Sequence, residues 1–205
     1  MSDDKGIIRP IFVGVVTTVL TAVILYYLGI QKDSSSTHEK IPKPTSELEE
    51  KILGIWYADI QETIPNGTAN IQGTTEYLRN GTSNLTAEIS LRMHTPEGEE
   101  FEIIYNMLES YEWKLHEHRL VEKGVDMKTI PKYFKTRSEQ IDLRRIDPAK
   151  REQFPKLEDV IPKGMSNESE IIEIGADIMR VKSRDHLGNE KIIVYYKRDK
   201  PFVLE

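Results

Sequence analysis

Apolar and polar positions follow two different rules along this chain. From Ile11 to Ile30 (IFVGVVTTVLTAVILYYLGI) they form an unbroken apolar run without a charged side chain, whereas beyond residue 47 apolar and polar residues alternate. At 1.5 Å per helical residue the run spans roughly 30 Å, the hydrocarbon thickness of a bilayer, and predicts one transmembrane helix over 11–30. A cleaved signal peptide has a shorter apolar stretch of ~7–15 residues and a small-residue cleavage site. This run ends instead in Tyr26, Tyr27, Leu28, Gly29 and Ile30. The two tyrosines suit the headgroup layer, and the absence of ionisable residues predicts an anchor, not a transport path. Gly14, Thr18 and Ala22 recur at i, i+4 and i+8, a small-residue stripe that predicts self-association of the membrane helix. Lys5 and Arg9 on one flank against Lys32, Lys40 and Lys43 on the other leave the orientation undecided by charge. The expectation leans toward a domain on the outer or periplasmic side, because a short charged tail that stays behind is the simpler insertion.

After a tail over 1–10 and the anchor, residues 31–46 (QKDSSSTHEKIPKPTS) are polar and proline-containing and predict an exposed tether. The folded domain is expected over 47–205. Ser46 and Glu49 have capping-box spacing ahead of Leu48, Ile52 and Leu53, so a short helix opens it. Strands follow. In Asn84–His94, Leu85, Ala87, Ile89, Leu91 and Met93 alternate with polar residues, giving one buried and one wet face. Turn chemistry at Asn66-Gly67, Asn80-Gly81, Pro96-Glu97-Gly98 and Gly188-Asn189 separates the neighbours. Strands are predicted near 54–62, 71–79, 83–94, 100–108, 111–117, 119–123, 169–174, 177–184 and 190–198. The expected fold is mostly β, an antiparallel barrel of eight or nine strands, with a sandwich as the other solution. Residues 124–165 carry Pro131, Pro148, Pro155 and Pro162, and Asp147-Pro148 pairs an N-cap with proline at the first helical position. They predict a loop insert with one or two short helices.

Charge sharpens this picture. The chain carries −6; the tail is neutral and the tether carries +1, which leaves −7 on the domain and argues against general nucleic-acid binding. Between Lys123 and Arg151 nine Lys or Arg face four Asp or Glu, a local inversion to +5. It marks either a solvated loop with compensating charges or a site for an anionic ligand group. On the second reading Lys132, Lys135, Arg137, Arg144 and Arg145 are the ligand-binding candidates, since Arg binds carboxylate or phosphate through two parallel hydrogen bonds. No cysteine nucleophile, G-x-S-x-G elbow, H-E-x-x-H or phosphate-binding loop is present, so no catalytic role and no cofactor are expected. His116-Glu117-His118 would aim two imidazoles to one side of a strand and bind a metal there; a solvated hairpin tip is the competing reading, and no metal is expected. A cysteine-free chain suits either redox compartment.

Gly54-Ile55-Trp56 opens the first predicted strand and Tyr196-Lys197-Arg198 closes the last. This resembles the lipocalin-like (calycin) barrels, in which G-x-W sets a tryptophan at the closed end and an arginine from the end of the barrel packs across it. The resemblance implies a structural role for Gly54, Trp56 and Arg198, with a guanidinium over the indole. It further implies an interior that binds a small amphipathic or lipid-like ligand without catalysis. It covers most of 47–205 in strand rhythm. The T-D-x-x-Y motif of the core lipocalins is missing, and the insert is longer than a simple meander needs. The chain is also similar in architecture to bacterial antiphage effectors that join an N-terminal membrane region to a small β-barrel sensing a cyclic nucleotide. It differs from them in having one predicted span where they have two.

Overall fold

The computed structural model describes residues 47–204, apart from 65, 96, 153, 160, 162 and 185–188. The predicted tail, anchor and tether, with Gly14, Thr18 and Ala22, lie outside the described residues. Among the described residues, no helix is long and apolar enough to cross a membrane. Helix α1 (Glu47–Ile52) leads into β1 (Gly54–Ile64), β2 (Gly67–Tyr77), β3 (Thr82–His94), β4 (Glu100–His116) and β5 (Arg119–Thr136). Then come β6 (Gln140–Asp142), α2 (Pro148–Arg151), a 3-10 turn (Leu157–Asp159), β7 (Ser166–Ile174), β8 (Ile178–Arg184) and β9 (Glu190–Arg198).

Every strand pairs antiparallel with its neighbours, in the order β4-β3-β2-β1-β9-β8-β7-β5-β6, and β4 also pairs with β5. Eight strands therefore close into a ring, with β6 attached to β5 outside it. Closure removes the free edges that an open sheet would expose. The expected barrel is present; β2 spans Gly67–Tyr77 where the sequence predicts 71–79, β6 lies inside the expected insert, and two further corrections concern β4 and β5. The segments near 100–108 and 111–117 are one strand, β4, because the irregularity at Ser110/Tyr111 is a bulge taken up by β5 and not a turn. The strand near 119–123 runs on to Thr136, so the insert begins at 137 and not at 124. Pro131 misleads a linear reading. It sits where the ladder slips, opposite Tyr105 while Tyr133 already faces Ile104, and a bulge is where a strand tolerates a residue without an N–H. Asp147 caps α2 as its sequence predicts, accepting from the Ala149 amide at 2.8 Å.

The inward residues build two apolar clusters. One packs Ile64, Leu91, Met93, Phe101, Ile103 and Tyr105 with Leu157 of the insert. The other packs Ile52, Trp56, Tyr77, Trp113, Leu120, Ile171 and Met179. Strand β2 packs closely on β3 between them. A Cβ at inward-facing Gly73 would lie 2.3 Å from the Thr86 carbonyl oxygen, so only glycine lets β2 and β3 approach here.

The G-x-W segment works as a unit, with a different cation than expected. Trp56 is fully buried, and its Nε1–H donates to the Ile52 carbonyl at 2.6 Å, tying α1 to the barrel. The Lys197 ammonium lies 4.2 Å from the indole centroid and donates to the Leu53 carbonyl. Gly54 adopts φ 107°, and a Cβ there would meet Lys197 Nζ at 3.0 Å. Arg198 is exposed and stacks on Tyr57 at 5.3 Å, not on Trp56. The register explains the exchange. Trp56 pairs with Lys197 and Ile55 with Arg198, and directly paired residues share a face. Trp56→Ala is therefore expected to cost about 3–5 kcal/mol and Lys197→Met about 1–2 kcal/mol. Arg198→Ala should stay within about 0.5 kcal/mol of the parent. Chemical unfolding of the three variants checks this order, and an Arg198 effect as large as that of Lys197 would contradict it.

Candidate functional site

Between the two apolar clusters the barrel is not filled. The inward residues at this level include Ala58, Gly73, Thr75, Gly124 and Ser183, which are too small to meet across the interior. They leave a cavity of about 240 Å³, equal to about eight water volumes at ~30 Å³ each. Ile60, Ile71, Leu85, Met127, Ile161 and Ile193 supply apolar wall, and Glu62, Glu109, Glu122 and Lys191 break it with charge. Exposed Val125, Asp126 and Lys163 mark where it meets solvent, the last two joined by an ion pair at 2.7 Å.

The insert roofs this cavity for a reason visible in the backbone. Strand β5 pairs with β7 only over 119–123 and with β6 only over 133–135, which leaves the edge between them without a strand partner. Buried peptide groups need partners, and the insert supplies them. Gly124 donates to the Met165 carbonyl at 2.8 Å and accepts from Gly164 at 2.9 Å. The Thr129 amide donates to the Glu158 carboxylate at 3.0 Å, and Leu157 N–H donates to Thr129 Oγ1 at 3.1 Å. Tyr105 Oη donates to the Pro155 carbonyl at 3.1 Å. Glu158 thus stands in for a missing strand while lining the cavity.

The interior charges differ in their surroundings. Glu62, nearly buried, is in ion-pair contact with Lys191 from β9. Burial pushes the Lys191 ammonium down to about 8. Glu122 accepts a hydrogen bond from Tyr77 Oη at 2.8 Å; desolvation raises its pKa against the effect of that bond. Glu109 is pushed up to about 7 by burial, opposed by a hydrogen bond from Tyr111 and reinforced by the nearby Glu122. Burial also raises the Tyr77 and Tyr195 hydroxyls, so both stay neutral donors. The interior is therefore acidic, aromatic and apolar.

None of the five predicted anion-binding residues lines this cavity. Lys132 is buried at the β5 bulge in an ion pair with Glu88 at 2.8 Å, and Lys135 meets Glu102 at 3.2 Å. Arg144 and Arg145 share Asp142, at 2.9 Å and 3.4 Å, and Arg144 also stacks on Tyr133 at 4.9 Å. Arg137 is exposed just beyond β5. Four of the five candidates are thus met by acids on β3, β4 and β6, partners distant in sequence or inside the insert itself. His116 ends β4, and Glu117 (φ 57°) and His118 form the two-residue turn after it, so the imidazoles do not project together from one strand. Among the described residues, no group of three or more His, Cys, Asp or Glu is placed to hold a metal.

The interior carboxylates had a sequence signal. Glu109 occupies the inward stripe of β4 between Met107 and Tyr111, Glu62 that of β1 between Ile60 and Ile64, and Glu122 that of β5 after Leu120. Each is an acid at the parity of core residues, where charge is costly without a purpose. Fold and site together define an antiparallel barrel, closed through eight strands, with an acid- and tyrosine-lined cavity. Set against known proteins, the chain matches no family model and no curated relative.

Glu109 yields a pH prediction. Its folded-state pKa of about 7 lies above the ordinary 4.5, so its contribution to stability is full below pH 4.5 and is lost as pH rises through 7. Glu109→Gln should then be more stable than the parent at pH 8 and lose that advantage at pH 4. Unfolding midpoints measured across this range test it, and a Gln variant no more stable at pH 8 would remove the claim that burial governs this carboxyl.

Proposed function

We propose that this protein is a membrane-anchored, lipocalin-like binding barrel that takes a small amphipathic ligand into its interior and catalyses nothing. The carrying observation is the cavity of about 240 Å³ with apolar walls interrupted by a few polar groups, the usual make-up of a small-molecule site. The Gly54-x-Trp56 opening with a last-strand cation over the indole supports the lipocalin-like reading, with lysine where those barrels carry arginine. The predicted helix over 11–30 would hold the barrel at a bilayer through the 31–46 tether, on the outer or periplasmic side, where amphipathic compounds gather.

A cyclic-nucleotide sensor is less well supported. Phosphates would meet Glu109 and Glu122 inside, while Lys132, Lys135, Arg144 and Arg145 outside are engaged with acids. Replacing cavity-lining Ile60 by Trp should fill the space without a new buried charge. The 205-residue chain should bind 2-phenylethanol or 1-hexanol by calorimetry, and Ile60→Trp should weaken that binding at least tenfold, roughly 1.4 kcal/mol or more. Binding unchanged by the filling residue would place the ligand elsewhere and end this reading.

A further inference from the structure

Resting on the binding reading above, we infer that the cavity is a site for a small organic ammonium ion, its nitrogen held by Glu109 and Glu122 among Tyr77, Tyr111 and Tyr195. The five groups form one cluster. Tyr77 donates to Glu122 and neighbours Tyr111 and Tyr195, while Glu109 takes a hydrogen bond from Tyr111 and feels Glu122. Three tyrosine rings beside two carboxylates in a barrel interior are the chemistry that recognises an ammonium, through charge-assisted hydrogen bonds and cation–π contact.

The pairing of the remaining charges isolates this cluster. Of the titratable groups facing the cavity, Glu62 on β1 is matched by Lys191 on β9, and Asp126 on β5 by Lys163 of the insert. Arg184 on β8 lies 3.6 Å from Glu190, and Glu158 accepts from Thr129. Among the described residues no lysine or arginine forms an ion pair with Glu109 or Glu122; hydroxyl groups serve both. Two interior carboxylates without a cation are a standing desolvation cost, and a ligand that brings the charge removes it. In the same row, Ser83 pairs with Tyr77 on one side and Tyr111 on the other and is fully buried. The apolar wall of Ala58, Ile71 and Ile193 would take the ligand's hydrocarbon part.

Such binding is coupled to a proton. Glu109 is held up to about 7 in the empty barrel, so an arriving ammonium lowers that value and Glu109 releases its proton to solvent, while the ligand keeps its own. No covalent bond changes.

Calorimetry on the 205-residue chain in lipid nanodiscs, referenced to empty nanodiscs, compares 2-phenylethylamine, 2-phenylethanol and phenylacetate at pH 6 and pH 8. The ammonium should bind best, and about tenfold more tightly at pH 8 than at pH 6, as a carboxyl titrating near 7 requires. Repeating the titration in two buffers of different ionisation enthalpy should show proton release. The double change Glu109→Gln and Glu122→Gln should abolish the amine's advantage and its pH dependence while 2-phenylethanol still binds, which shows that the variant is folded. An alcohol or carboxylate that binds as well as the amine, or an amine affinity flat in pH and unmoved by the double change, overturns the ammonium site and leaves the binding barrel standing. If none of the three binds, the binding barrel itself falls.

Discussion

The structure depends on how strand β5 disposes of its second edge. One edge is paired with β4 throughout, but the other is divided among β7, the insert and β6. A barrel in which β7 paired with all of β5 would draw the ring tight. Here the ladder holds for five residue pairs, from Arg119↔Glu170 to Lys123↔Ser166, and the chain then bridges the remaining edge with Met165, Gly164 and the Glu158 side chain. The interior widens beneath that bridge, and small residues at inward positions keep the space open. Leu157 enters the apolar cluster on one side of it, so the bridge is fastened to the core and not merely laid over it.

The distribution of charge follows from the same closure. Outward residues on β3, β4 and β5 are close enough to form a mixed surface in which Lys132, Lys135 and Arg92 interleave with Glu88, Glu100 and Glu102. The exposed Arg92–Glu100 pair contributes little to stability, whereas buried Lys132 depends on Glu88 to compensate its charge. Inside, the same economy does not hold. Glu109 and Glu122 bring negative charge into an apolar shell with only tyrosine hydroxyls to answer it, and their raised pKa values express that cost. A purely structural barrel would be served better by leucine at either position, which is why the interior, and not the basic segment, is the place to look for function.

Much of the fold was legible because strands with one wet face announce themselves. Leu85 to Met93 alternate without a fault, and the Asn66 and Asn80 turns fall where their sequence places them, with Asn66 at φ 62° and Asn80 Oδ1 accepting from the Thr82 amide. What stayed hidden depends on contacts between residues distant in the chain. Pro131 looks like the end of a strand until the ladder shows the bulge that holds it, and Lys132 looks like a free cation until Glu88, on β3, is brought beside it. Arg198 looked like the cover for Trp56 because a motif names a residue type, whereas the register of β9 on β1 assigns the place to Lys197. The acids of the cavity stand at core parity, but only the closed ring brings Glu62, Glu109 and Glu122 from three strands to one space.

The central claim is that burial holds a carboxyl inside the barrel partly protonated at neutral pH, and that an arriving cation drives it to ionise. Carbon-13 NMR of the glutamate side-chain carboxyl carbons, with Glu109 assigned by its Gln variant and followed from pH 3 to pH 9, reads this directly. The account predicts a Glu109 midpoint near 7 in the empty barrel, falling when an ammonium ligand is added. A midpoint in the ordinary glutamate range, unmoved by the ligand, would contradict it.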